Sequence, residues 1–174
     1  MSRFFEKLAL WDDALTLTAK GRRLVWILIG LYGLMIAYMC FGPQHVVAGM
    51  ETPNIQHVGR LVFLLVPFNS LVSLGEIESA WQLFWVIGQN VVNCFLLYPL
   101  MLGLLVLFKE LRTPKRSLLV AFACSLFIEC TQLLIDALFD ANRVFEVDDL
   151  WTNSLGGLFA LWTYRFLVNW LSHS

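Results

Sequence analysis

Four long stretches of this chain carry almost no charge, and no other feature limits its fold so strongly. Leu24–Phe41 runs 18 residues and Trp81–Phe108 runs 28 without an Asp, Glu, Lys or Arg. Ser117–Ile135 holds one charged residue, Glu129, in 19, and Leu150–Leu171 holds one, Arg165, in 22. A bilayer core about 30 Å thick is crossed by about 20 apolar residues of helix. The stretches therefore predict an all-α, polytopic membrane protein, a four-helix transmembrane bundle forming one membrane domain over residues 1–174. Its spans are 24–41, 81–108, 117–135 and 150–171, and the Arg165 stem in the last of them can snorkel to the interface. Soluble domains are about 45–50% apolar and about 25% charged, against 59% and 14% here. This balance excludes a disordered tail and an ordinary cytosolic enzyme, and a net charge of −1 gives no basic surface for nucleic acid. Leu24–Phe41 is too long for the apolar core of a signal peptide and no A-x-A site follows it, so it reads as an uncleaved anchor.

Basic residues set the orientation of such a protein. Arg3, Lys7, Lys20, Arg22 and Arg23 precede the first span, and Lys109, Arg112, Lys115 and Arg116 join the second to the third. The other two connections, 42–80 and 136–149, hold only Arg60 and Arg143. Both termini are thus expected in the cytoplasm and those two connections outside. In residues 1–20, Phe4, Leu8, Trp11 and Leu15 recur at helical spacing, which predicts an amphipathic helix on the inner surface. In the first outer loop Leu61–Phe68 is apolar but too short to span, and is expected to lie in the interface or to re-enter. Cys40, Cys94, Cys124 and Cys130 all lie in apolar stretches and read as buried filler, without a disulfide or zinc pattern. Trp26, Trp81, Trp85, Trp151, Trp162 and Tyr164 near span ends suit an interfacial belt.

Polar residues inside a bilayer face protein or a wet cavity. Ser125, Glu129, Gln132 and Asp136 follow i, i+4, i+7, i+11 and form one stripe on the third span. Asn90 and Asn93 share a face of the second, and Asp149 and Asn153 share a face of the fourth, continued by Gly156-Gly157. Glu129 lies 13 residues past Arg116, about 20 Å along a helix, which is in the outer half of the core. Three stripes at similar depth predict an outward-facing polar pocket. Glu129 would be either neutral and donating to Asn93 or Gln132, or ionised and paired with Arg143 or Arg60. Asp149 either only caps the fourth helix or also belongs to the pocket, and Asp148 is the better placed of the two to face the pocket. Glu146, Asp148 and Asp149 offer oxygens to a hard cation, but their spacing matches no EF-hand. No metal or cofactor is expected.

Several of these residues resemble motifs of the VanZ-like family. Glu129-Cys-Thr-Gln132 resembles its IE-x-x-Q, and the run from Arg143 through Asp148-Asp149 and Asn153 to Gly156-Gly157 resembles its R-x-F-D-x-D-D-x-x-x-N-T-L-G-G. Asn93 to Pro99-Leu100 and Pro67-Phe68-Asn69 resemble two shorter elements. The likeness covers roughly residues 24–165, with Glu146 where the family usually has Asp and Met101 where a Gly usually follows Pro-Leu. It implies an integral protein of the bacterial cell membrane, in a family whose best-known member confers teicoplanin resistance and which brings no agreed enzymatic activity. The motif positions are Asn93, Glu129, Gln132, Arg143, Asp148, Asp149 and Asn153.

Three functions compete. The first is a non-catalytic receptor for a lipid-linked cell-wall precursor or a lipoglycopeptide, with membrane lipids around it and Arg143 pairing with a ligand carboxylate or phosphate. The second is a membrane enzyme with Glu129 as acid or base and Asp148 as partner. The third is a small transporter subunit, for which Gly33 and Ala37 offer a small-xxx-small dimer face.

Overall fold

The computed structural model describes residues 17–43, 52–76 and 80–173. The expected amphipathic segment around Phe4–Leu15 lies outside them. Helix α1 (Ala19–Phe41) starts at Thr18, whose hydroxyl accepts from the Gly21 N–H at 3.2 Å. A hairpin follows, β1 (Gln56–Val58) and β2 (Leu61–Leu64), turning at Gly59 with φ +64°. Short helix α2 (Asn69–Val72) and a 3₁₀ turn (Ser73–Glu76) complete this connection. Helices α3 (Ala80–Leu96) and α4 (Tyr98–Leu107) run in series. After a 3₁₀ turn (Lys109–Leu111), α5 (Pro114–Phe139) begins with the Thr113 hydroxyl as cap and Pro114 in its first turn, where a missing N–H does no harm. Strand β3 (Val144–Glu146) leads directly into α6 (Val147–Ser172).

Among the described residues, three stretches are long and apolar enough to cross a membrane: Ala19–Phe41, Ala80–Leu107 and Pro114–Phe139. The fourth expected span, α6, has 26 residues, enough length at 1.5 Å per residue. It is less apolar because it carries Asp148, Asp149, Asn153 and Arg165. Its surroundings explain how that composition is tolerated, since α6 packs against α5, α4 and α3 together and buries Asn153, Ser154, Gly156, Gly157, Ala160 and Leu161.

The second span is two helices rather than one. Pro99 has no N–H to give the preceding turn, and the helix breaks at Leu97, as proline requires. The Tyr32 hydroxyl donates to the Leu96 carbonyl at the break (2.9 Å), and the Tyr98 hydroxyl donates to Thr163 Oγ1 at 3.0 Å. Two glycines of α6 make the packing tight. A Cβ on Gly156 would lie 2.5 Å from the Cys94 carbonyl oxygen on α3, and one on Gly157 2.7 Å from the Ala121 Cβ on α5. Ser117 Oγ donates to the Gly157 carbonyl at 2.7 Å through the same gap.

The apolar run from Leu61 opens with a strand, Leu61–Leu64. Alternate residues Val62 and Leu64 are buried, and the backbone is hydrogen-bonded on both sides. β2 pairs antiparallel with β1 and parallel with β3, with Val62 opposite Val144 and Leu64 opposite Glu146. The otherwise all-α bundle is closed at this end by a three-stranded sheet.

Burial is inside-out relative to a soluble protein. Glu129, Asp136, Asn153, Ser117 and Ser125 are fully buried, whereas Leu34, Phe84, Phe127 and Phe166 are each more than 60% exposed. Hydrocarbon around the helices accounts for both facts. Replacing Gly156 or Gly157 by Ala should destabilise the detergent-solubilised protein by about 1–3 kcal/mol, the usual effect of overpacking. Gly30→Ala, where a Cβ meets nothing within 4 Å, should leave the melting temperature unchanged in the same assay.

Candidate functional site

The stripe on α5 points inward, and each polar side chain on it reaches a different element. Ser125 Oγ donates to the Asp149 carbonyl (3.1 Å) and accepts from Asn153 Nδ2 (3.0 Å). Glu129 is 1% exposed and its Oε2 accepts from the Glu146 N–H at 3.0 Å. Gln132 Nε2 donates to the Cys40 carbonyl at 3.0 Å, near the end of α1. Asp136 Oδ1 accepts from the Arg143 N–H at 2.7 Å. One helix face thus holds α1, the 140–146 connection and the start of α6 in place.

The Arg143 side chain lies across the end of α1. Its Nε donates to the Gly42 carbonyl (2.6 Å) and its Nη2 to the Met39 carbonyl (2.8 Å). The last carbonyls of a helix have no partner within it, and a cation there also matches the helix dipole. Arg143 therefore acts as a C-cap, and its guanidinium is engaged there rather than by Glu129, the pairing that was one of two alternatives in the sequence.

The two adjacent aspartates hold different elements. Asp148 Oδ1 and Oδ2 accept from the N–H groups of Phe68 (2.6 Å) and Asn69 (2.8 Å). Phe68 holds φ +54°, a conformation uncommon for a bulky residue, and the carboxylate clamps that turn from across the sheet end. Asn69 in turn accepts from Asn54 Nδ2 (2.9 Å) and the Ser73 hydroxyl (3.2 Å). Asp149, which the sequence offered as a cap or as part of the pocket, meets Asn93 of α3, whose Nδ2 donates to its Oδ1. Asn90 one turn earlier donates to Ser70 Oγ at 2.8 Å.

All seven residues named from the sequence, Asn93, Glu129, Gln132, Arg143, Asp148, Asp149 and Asn153, line one cavity of about 530 Å³. Its polar end lies under the sheet and the 68–73 turn. Its apolar walls come from Phe84, Trp85, Val92 and Leu96 on α3, Met39 on α1 and Ile128 on α5. The role of Asn69 and Ser70 in the rim was missed in the sequence, although the Pro67-Phe68-Asn69 motif marked the place. Glu146 also lines the cavity. Burial, followed by the charges of Asp149 and Asp148, pushes its carboxyl up to about 8. Among the described residues no group of three or more His, Cys, Asp or Glu is placed to hold a metal ion.

A helical bundle with polar groups inside, apolar side chains outside and three helices able to cross a bilayer is a polytopic membrane protein. The model of the VanZ/LLP1 family matches residues 29–168, and the chain belongs to that family. It is a VanZ-like membrane protein, and the family is linked to glycopeptide resistance. No curated protein and no solved structure matched the chain.

Two predictions follow from this geometry. Asp148→Ala removes two hydrogen bonds to a charged acceptor, each worth about 1.5–3 kcal/mol, so it should lower the melting temperature and speed hydrogen exchange at Phe68 and Asn69. Glu146 holds its proton more tightly folded than unfolded, so its stabilising contribution is complete below its ordinary value of 4.5 and is lost as pH rises through about 8. The melting temperature should therefore fall between about pH 5 and about pH 9, and Glu146→Gln should flatten that slope and melt higher than the parent at the alkaline end.

Proposed function

We propose that this protein is a non-catalytic receptor of the bacterial cell membrane. Its cavity takes the polar part of a lipid-linked cell-wall precursor or a lipoglycopeptide, and by doing so it contributes to resistance to teicoplanin-type antibiotics. The observation that carries this reading is the form of the cavity. Buried polar groups from α3, α5, α6 and the 140–149 connection line the same space as aromatic and aliphatic side chains of α1 and α3. A molecule with a polar head and an acyl chain matches both kinds of wall, and small-molecule sites characteristically combine apolar walls with a few placed polar groups.

The positive-inside rule supports an outward-facing mouth. Lys20, Arg22 and Arg23 begin α1, and Lys109, Arg112, Lys115 and Arg116 lie between α4 and α5, all at the end remote from the sheet. With that end in the cytoplasm, the cavity opens toward the cell wall. An acid–base pair of Glu129 and Asp148 fits less well, because both Asp148 oxygens already accept backbone N–H groups.

Growth inhibition tests the proposal. Cells expressing the protein should tolerate several-fold more teicoplanin than cells without it, and should gain little against a glycopeptide lacking an acyl chain. Equal protection against both drugs would remove the lipid-dependent site, and no protection against either would remove the resistance role.

A further inference from the structure

The polar end of the cavity offers acceptors in excess of donors. Gln132 gives its Nε2 to the Cys40 carbonyl, which fixes the amide's orientation and leaves Oε1 buried without a partner. Asn153 gives its Nδ2 to Ser125 Oγ, and that hydroxyl uses its own proton on the Asp149 carbonyl. Asn153 Oδ1 is the end left over, buried and without a partner. Gln132 and Asn153 are 8% and 1% exposed, and both line the cavity beside Glu129, Glu146 and Asp149.

Several of the donors lining the cavity are engaged elsewhere. Among the described residues Arg143 is the one basic side chain in the walls, and its Nε and Nη2 are held by the carbonyls at the end of α1. The Asn93 and Asn90 amide nitrogens go to Asp149, Ser70 and the Val86 carbonyl. A buried acceptor without a donor is unfavourable, and Arg143, the cation in these walls, gives its Nε and Nη2 to the end of α1 instead. One chemical group answers both: an ammonium has three donors, no acceptor and a full positive charge.

We propose that the cavity recognises a primary ammonium on an acyl-chained molecule, with the carboxyls of Glu129, Glu146 and Asp149 and the amide oxygens of Gln132 and Asn153 as its acceptors. This rests on the receptor reading above and names the head group that the receptor selects. The ammonium has two sources, an aminophospholipid of the surrounding bilayer or an amine-bearing lipopeptide arriving from outside.

The test uses the full chain in a neutral maltoside detergent, titrated with dodecylammonium, dodecanol, dodecanoate and dodecyltrimethylammonium. Binding is read by calorimetry and by the fluorescence of Trp85 in the cavity wall, with Trp85→Phe as the optical control. Dodecylammonium should bind at least about tenfold tighter than dodecanol, a difference of about 1.4 kcal/mol. The trimethyl compound keeps the charge but has no N–H, and should lose most of that advantage without any mutation of the protein. The Glu129→Gln/Glu146→Gln variant should bind dodecylammonium and dodecanol alike. Equal binding of dodecanol or dodecanoate by the parent overturns the proposal, as does equal binding of the trimethyl compound. Equal stabilisation by Na⁺ or Ca²⁺ alone does so too. Displacement of the probe by phosphatidylethanolamine marks the bilayer as the source, displacement by teicoplanin marks the drug, and displacement by neither overturns the proposal. Ammonium selectivity without any change in teicoplanin susceptibility sinks the resistance role alone, and protection without selectivity sinks only the head-group assignment.

Discussion

Hydrocarbon supplies no hydrogen bonds, so polar groups drawn into the bundle depend on partners within the protein. Here the partners are mostly backbone. Glu129 holds the Glu146 N–H, Asp136 the Arg143 N–H, Gln132 the Cys40 carbonyl and Asp148 two N–H groups of the 68–69 turn. These are the non-helical or terminal segments, where helix and sheet leave peptide groups unmatched. The polar stripes thus do for the loops what the helical ladder does for the spans. The cavity is the space those loops enclose.

Helix α6 is where that requirement meets packing. It is too polar to stand in lipid alone, and too closely approached on two sides to carry side chains at Gly156 and Gly157. Its first turn supplies the aspartates of the site and its middle supplies the glycines of the core. The same helix therefore sets both the spacing of the bundle and the position of the site. Met101, on α4, is fully buried in the adjoining core, so the bulk that departs from the family's usual glycine is accommodated away from the cavity.

Much of this was legible in the sequence, and the part that was not has a physical reason. The 3.6-residue period placed Ser125, Glu129, Gln132 and Asp136 on one face, and burial confirms that face. Charge-free runs located the apolar helices. Partners were harder to read, because they lie far apart along the chain. Arg143 meets Gly42 across 101 positions and Asp148 meets Phe68 across 80, and no local pattern encodes such a meeting. Strands of three or four residues are too short for alternation to show, so Leu61–Leu64 read as an apolar run. Pro99 was visible, but whether a proline bends or breaks a helix depends on what receives the freed carbonyls. Here Tyr32, on α1, takes the Leu96 carbonyl at the break.

The parallel pairing of β2 with β3 joins segments some eighty residues apart, Val62 with Val144. A ribosome delivers those segments at different times, and Glu129 emerges before the residues that satisfy it. Until Glu146 has followed, the nascent chain holds an acid in its third apolar helix without the backbone amide that meets it. A chain cut short ahead of that residue would leave Glu129 in an open, acid-bearing seam.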